Sequence, residues 1–267
     1  MDVAAAPLAH DRAGPVGGTP VVLVHAGIAD RRMWDPQWAP LTASHDTVRI
    51  DLRGFGESTT APSGPFSHVA DVAATLAALD VTRCHVVGAS LGAGVAVELA
   101  LTRPDLVESL VLAPPGGSLL TELTADLRAF IDAEDAALER GDLDAAVEAN
   151  VAAWAVGPGR GPADVEAGVL DRVRVMQRRA FEIQEPWGAL DEVEPDPPVA
   201  ERLGEVAVRT LVLVGAHDLE TTKEAAGRVA RDIPDVHLVE WPDVAHLPSM
   251  ERPDDFMALL LDWVGSA

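Results

Sequence analysis

A single cysteine, Cys84, stands in a chain of 267 residues. One thiol can neither close a disulfide within the chain nor supply a multi-cysteine metal site. Lysine is as scarce: Lys223 is alone, and Lys and Arg together number 20 against 43 Asp and Glu. This scarcity fits either coding bias or adaptation to salt. The formal net charge of -23 argues against nucleic acid, whose phosphates need a basic surface, and against an anionic membrane. No stretch reaches the roughly 18 apolar residues of a membrane span. The opening Met1-Asp2-Val3-Ala4-Ala5-Ala6-Pro7 has neither the basic start nor the apolar length of a secretory leader, so a soluble, cytoplasmic protein is expected. Repeats and low-complexity tracts are missing as well.

What is present is globular: 48% of residues are hydrophobic and 24% charged. A chain of this length buries roughly 70–75% of its unfolded surface, so it needs no covalent staple. Short apolar runs at 21–26, 47–52, 85–89, 109–113, 211–215 and 236–241 are rich in Val, Leu and Ile and lack polar alternation. Strands buried on both faces of a parallel sheet read this way. Helical patterns lie between them. Ser67 caps one reaching about Leu79, a second runs from Leu91 to Thr102 before Pro104, and Phe256, Leu259, Leu260 and Trp263 mark a third. Alternating strands and helices predict an α/β fold with a mostly parallel sheet. The first twenty residues, rich in Ala, Gly and Pro, are expected to hold a short edge hairpin.

The alternation stops between about Ser118 and Glu205. Helical patterns at 119–139, 143–155 and 163–184 give way to a Pro- and acid-rich run at 192–198. About half of the excess negative charge sits here. Because the strand pattern resumes at Thr210, residues 118–205 are read as a helical insertion, with 1–117 and 206–267 forming one core; the rival is a separate helical binding domain.

Gly88-Ala89-Ser90-Leu91-Gly92 matches G-x-S-x-G after an apolar strand and at the start of a helix. In so tight a turn, side chains two positions either side of the serine would strike the backbone. The serine hydroxyl is lifted above the sheet at a helix N-terminus, where an anion is favoured. Such a hydroxyl needs a base. His246 is the candidate, in a loop between the last strand and the last helix; its plain alternative is a surface histidine. Asp218, just after the strand at 211–215, is the candidate acid, and its alternative is a helix cap. The order Ser90, Asp218, His246 is the one expected for this triad. His217 is set aside as solvent-facing or supporting, His85 and His237 as packing or edge residues, and His10, His45 and His68 as solvated. For an oxyanion hole, the N–H of Leu91 and one from the loop after the first central strand are expected: Gly27, with Ile28 as the alternative register. His25 is read as a brace for that loop.

These residues resemble the α/β-hydrolase superfamily over nearly the whole chain, through His25-Ala26-Gly27, the run Asp51 to Ser58, the Ser90 elbow, Gly215 to Asp218, and His246 followed by Glu251-Arg252-Pro253. The stretch 22–58 is most similar to the branch of 3-oxoadipate enol-lactonases, carboxylesterases and cofactor-free haloperoxidases. The resemblance implies a mostly parallel eight-stranded sheet with a helical lid, which 118–205 would form. Departures from the family pattern are Ala26 and Ala245, where relatives carry glycine. Serine at 90 argues against a dehalogenase or epoxide hydrolase, and a lid without lysine against a hydroxynitrile lyase.

The expectation is a serine hydrolase of a small-molecule ester, thioester or lactone, with no metal and no organic cofactor. Alternatives are a non-hydrolytic relative, such as a perhydrolase-type haloperoxidase or a biosynthetic cyclase, or a ligand-binding receptor on the same fold. Ile28, Trp34, Trp154, Met176 and Trp187 are candidates to line the substrate cleft, against a core-packing alternative. Arg174 and Arg178 either greet a substrate carboxylate or balance neighbouring acids. A homo-oligomer is left open.

Overall fold

The apolar runs become strands in the computed structural model, which describes residues 5–188 and 192–265. The expectation of no leader rests partly on residues 1–4, outside the described residues. In chain order the elements are β1 (His10–Ala13), β2 (Val21–Val24), α1 (Asp35–Thr42), β3 (Thr47–Ile50), α2 (His68–Ala78), β4 (Cys84–Ser90), α3 (Leu91–Thr102) and β5 (Val107–Pro115). They continue with α4 (Ala125–Glu139), α5 (Leu143–Asn150), α6 (Ala167–Gln184), β6 (Thr210–Gly215), α7 (Glu220–Asp232), β7 (Val236–Trp241), α8 (Pro248–Glu251) and α9 (Pro253–Gly265). Short 3-10 turns fill several connections, and a π-helical turn at Val151–Val156 continues α5.

The strands form one sheet in the order β1-β3-β2-β4-β5-β6-β7. β1 is antiparallel to β3, and every other pairing is parallel. Seven strands are therefore present among the described residues, where the resemblance implies eight. The expected N-terminal hairpin is also corrected. The Pro- and Gly-rich start yields β1 and an isolated bridge between Val16 and Gly18, because proline offers no N–H for a second ladder.

Residues along the central strands alternate between two cores. Val22, Val24, Val86, Leu110, Leu112, Val212 and Val214 face the side covered by Val72, Leu76, Val97 and Val229 of α2, α3 and α7. Val21, Leu23, Val87, Val111, Leu211 and Leu213 face the other, where Leu41 of α1 and Phe256 and Leu260 of α9 pack. Burial on both faces is what the unalternated Val and Leu runs predict. α2 begins as expected, with the Ser67 hydroxyl accepting the Ala70 N–H at 3.3 Å.

The segment between β5 and β6 is helical, with two shifted boundaries. α4 starts at Ala125 because Gly117–Leu119 forms a 3-10 turn, and α6 starts at Ala167 because Pro162–Asp164 forms another. Val151, Trp154, Val169, Val173 and Met176 of this segment join the core that holds Phe256. Arg174 pairs with Glu148 and Asp171, and Arg178 with Asp144. Both arginines thus balance acids of α5, and Arg174 also one of its own helix. Among the described residues, no helix is long and apolar enough to cross a membrane.

Candidate active site

β2, β4 and β6 end at the same edge of the sheet, and their C-terminal loops carry His25 to Ile28, Ser90 and Asp218; the loop after β7 carries His246. From β2 the chain crosses to β3 on one side and from β4 to β5 on the other, the switch point where open α/β sheets place ligands.

Ser90 ends β4 and precedes α3 with φ 52° and ψ −113°. This left-handed value is strained for a residue with a Cβ. The flanking glycines permit it. A Cβ on Gly88 would stand 2.2 Å from the Gly92 carbonyl oxygen, and one on Gly92 would stand 2.4 Å from that of Val24. Helix and strand therefore approach as closely as backbone allows, as the motif requires. Ser90 lies against Gly116, whose added Cβ would meet the Ser90 Oγ at 2.8 Å.

The His246 Nδ1–H donates to both Asp218 oxygens, at 2.8 and 2.9 Å. A carboxylate only accepts, so Nδ1 carries a proton, and in the neutral imidazole Nε2 then holds the lone pair. Both residues are about 99% buried. Asp218 is fixed in turn by the Leu219 N–H on Oδ1 at 2.8 Å. Main-chain bonds tie its loop to the His246 loop, from Ala216 N–H to Trp241 O and from His217 N–H to Val244 O. The His246 ring lies 4.5 Å from the Trp154 ring, which meets Phe130 edge-on. The structure thus joins Asp218 to His246, whereas Ser90 Oγ makes no hydrogen bond to His246 among the described residues.

Gly27 and Leu91 are neighbours: a Cβ on Gly27 would lie 3.7 Å from that of Leu91. Leu91 opens α3, so its N–H is one that a helix leaves unpaired. The Gly27 N–H has no partner among the described residues. Ile28 is buried beside them. His25 braces this loop, its Nδ1–H on Ala26 O and its Nε2 accepting the Leu52 N–H at 2.9 Å. Burial lowers its pKa.

The remaining candidates divide. Trp154 touches His246, and Trp187 sits half-buried over Gly54 at the end of α6. Trp34 and Met176 are corrections: Trp34 is fully enclosed against Phe256, and Met176 is 2% exposed in the same core, so neither offers surface to a ligand. The 3-10 turn before α1 tucks Trp34 inward. His217 turns away from the pair, toward Pro158 O at 3.1 Å. His68 is a further correction. It is buried edge-on to Phe66 rather than solvated, and burial lowers its pKa to about 4. Among the described residues no cluster of three or more His, Cys, Asp or Glu is arranged to hold a metal ion.

Nothing in the residue pattern marks Arg160 or gives Glu251 a role. The structure places Glu251 on the main chain beside His246, with Oε1 accepting the Ala245 N–H at 2.8 Å. The main-chain contact of Trp154 to His246 also left no side-chain signal to read.

A model of the alpha/beta hydrolase family matches residues 21–259, and the chain belongs to that family. It is 30% identical to the protein of Variovorax paradoxus (strain S110) named "Putative carbamate hydrolase RutD", over 97% of this chain and 96% of that one. Among solved structures it is similar to a hydrolase from Pseudomonas aeruginosa PA01, at 28% identity and a TM-score of 0.78, covering 97% of this chain and 94% of that one. It is also similar to the N-acyl homoserine lactone degrading enzyme Est816, at 26% identity and a TM-score of 0.75, covering 96% of each. The chain is an enzyme of the α/β-hydrolase class.

Proposed function

We propose that this enzyme is a serine hydrolase that cleaves a small carboxylic ester, thioester or lactone through an acyl-enzyme. The observation that carries this reading is the doubly accepted His246 Nδ1–H, which leaves a free Nε2 lone pair at the sheet edge where Ser90 is raised on its strained turn. The Ser90–His246 contact forms when substrate binds, as catalytic hydrogen bonds often tighten only in the complex. His246 takes the Ser90 proton as the hydroxyl attacks the carbonyl carbon. The N–H groups of Leu91 and Gly27 hold the resulting oxyanion; losing one such donor typically costs ~10²–10³ in rate. His246 then protonates the leaving group, activates water and clears the acyl group, while Asp218 steadies the imidazolium.

In this reading residues 118–205 act as a lid over a core of 1–117 and 206–267, with Ile28, Trp154 and Trp187 bordering the cleft. The relatives' names add carbamates and acyl lactones to the substrates worth screening. The test is burst-phase release from a p-nitrophenyl ester. Ser90→Ala abolishes the burst if Ser90 is the nucleophile, and an unchanged burst removes it from the mechanism.

A further inference from the structure

The stretch 154–160, which comes after α4 and α5 in the segment between β5 and β6, touches the loops of the Asp218–His246 pair and the adjoining α8 at four points. The Trp154 carbonyl accepts the main-chain N–H of His246 at 3.2 Å. Gly157, at φ +80°, lies so close that a Cβ would stand 2.1 Å from the His217 carbonyl oxygen and 2.8 Å from the Ala245 Cβ. Pro158 O accepts from His217. Arg160 completes the set, its Nη2 donating to Glu251 Oε2 at 2.6 Å with both side chains only 6% exposed. The same Nη2 donates to Asp164 O at 3.1 Å, which ties the guanidinium to its own segment.

The proposed reaction uses neither Arg160 nor Glu251. A buried ion pair is weak evidence for stability, because desolvation offsets most of the Coulombic gain and an apolar pair of equal volume often does as well. An apolar pair could not accept the Ala245 N–H, which Glu251 Oε1 does one residue before His246.

We propose that Glu251 is a positioning residue for His246, held in register by Arg160 from the inserted segment. This rests on His246 being the base. Asp218 fixes the ring through Nδ1, and Trp154 O fixes the main chain at His246. Glu251 supplies the anchor on the preceding peptide, with Arg160 aligning its carboxylate. Without it the 244–245 peptide keeps only the His217 N–H on Val244 O as an anchor, and a shift of about 1 Å at a catalytic group can cost about 10²-fold.

The test compares Glu251→Ala, Glu251→Gln and Arg160→Met, each first shown to fold by a circular dichroism melt. With p-nitrophenyl acetate, Glu251→Ala lowers kcat about 10- to 100-fold with KM nearly unchanged. The low-field NMR signal of the His246 Nδ1–H shifts in the same variant. Glu251→Gln keeps an acceptor for Ala245 and recovers most of kcat, and Arg160→Met falls between. A folded Glu251→Ala with wild-type kcat and an unmoved signal overturns the proposal, as does a glutamine variant as impaired as alanine. Should the alanine variant not fold, Arg160→Met decides by the same two readouts. Full turnover by Ser90→Ala would sink the serine-hydrolase reading alone, and the NMR signal would still decide the role of Glu251.

Discussion

Two oxygens of one carboxylate face the His246 Nδ1–H, and that contact dictates which imidazole nitrogen is free to act. Asp218→Asn reverses the logic, because an amide can present a donor and favour the wrong tautomer. The expected loss is about 10⁴-fold in kcat with the fold intact, measured on a p-nitrophenyl ester. A second titrating group is set by its surroundings. Burial, with the Glu192 carboxylate nearby, pushes Glu98 up to about 7. Between the ordinary carboxylate range and that value the native chain holds a proton that the unfolded chain has lost. This contribution to stability is complete at low pH and disappears as pH rises through about 7. Glu98→Gln should therefore melt higher than wild type at about pH 8 and level with it near pH 4; equal melting points at both would refute the assignment. The Asp218–His246 contact and the tight turn at Ser90 were legible because each of these residues sits in a loop after an apolar strand. His68 was not, since a lone polar residue beside Ser67 gives no hint that Phe66 and the 192 region will cover it.

At the scale of elements, the strand–turn–helix around Ser90 depends on backbone meeting backbone. Gly88→Ala would force its Cβ against the Gly92 carbonyl, and overpacking of this kind costs about 1–3 kcal/mol. Urea denaturation should show a lower midpoint with an unchanged slope. The central strands were readable because doubly buried strands carry no polar alternation. Boundaries between β5 and β6 were less so: the 3-10 turns that begin at Gly117 and Pro162 run into the first residues of stretches that periodicity alone reads as helix. The π-helical turn at Val151–Val156 was invisible for a related reason. One extra residue per turn leaves an apolar run looking like ordinary helix, while it moves Trp154 onto His246. Main-chain acceptors such as Trp154 O leave no trace in residue type at all.

Across the whole molecule, 43 acidic groups face 20 basic ones, so most of the surplus has no opposite charge to meet. Repulsion among them loads the native state, and salt screens it within about 8–10 Å at 0.10–0.15 M. The melting temperature should rise from about 0.01 M to about 0.5 M NaCl; a fall would mean that the surface ion pairs outweigh the repulsion. Family membership was legible from motifs spread over the chain, whereas the substrate was not, since the apolar residues of the helical segment between β5 and β6 join the core and residue type alone does not mark a cleft. The sheet has one more property. Among the described residues β7 bonds to β6 alone, and Leu238 on it is 44% exposed. An open margin of this sort invites another chain to add a strand. The abundance of carboxylates then acts as a guard on that margin, and acidification, by discharging it, would make the strand a template for association.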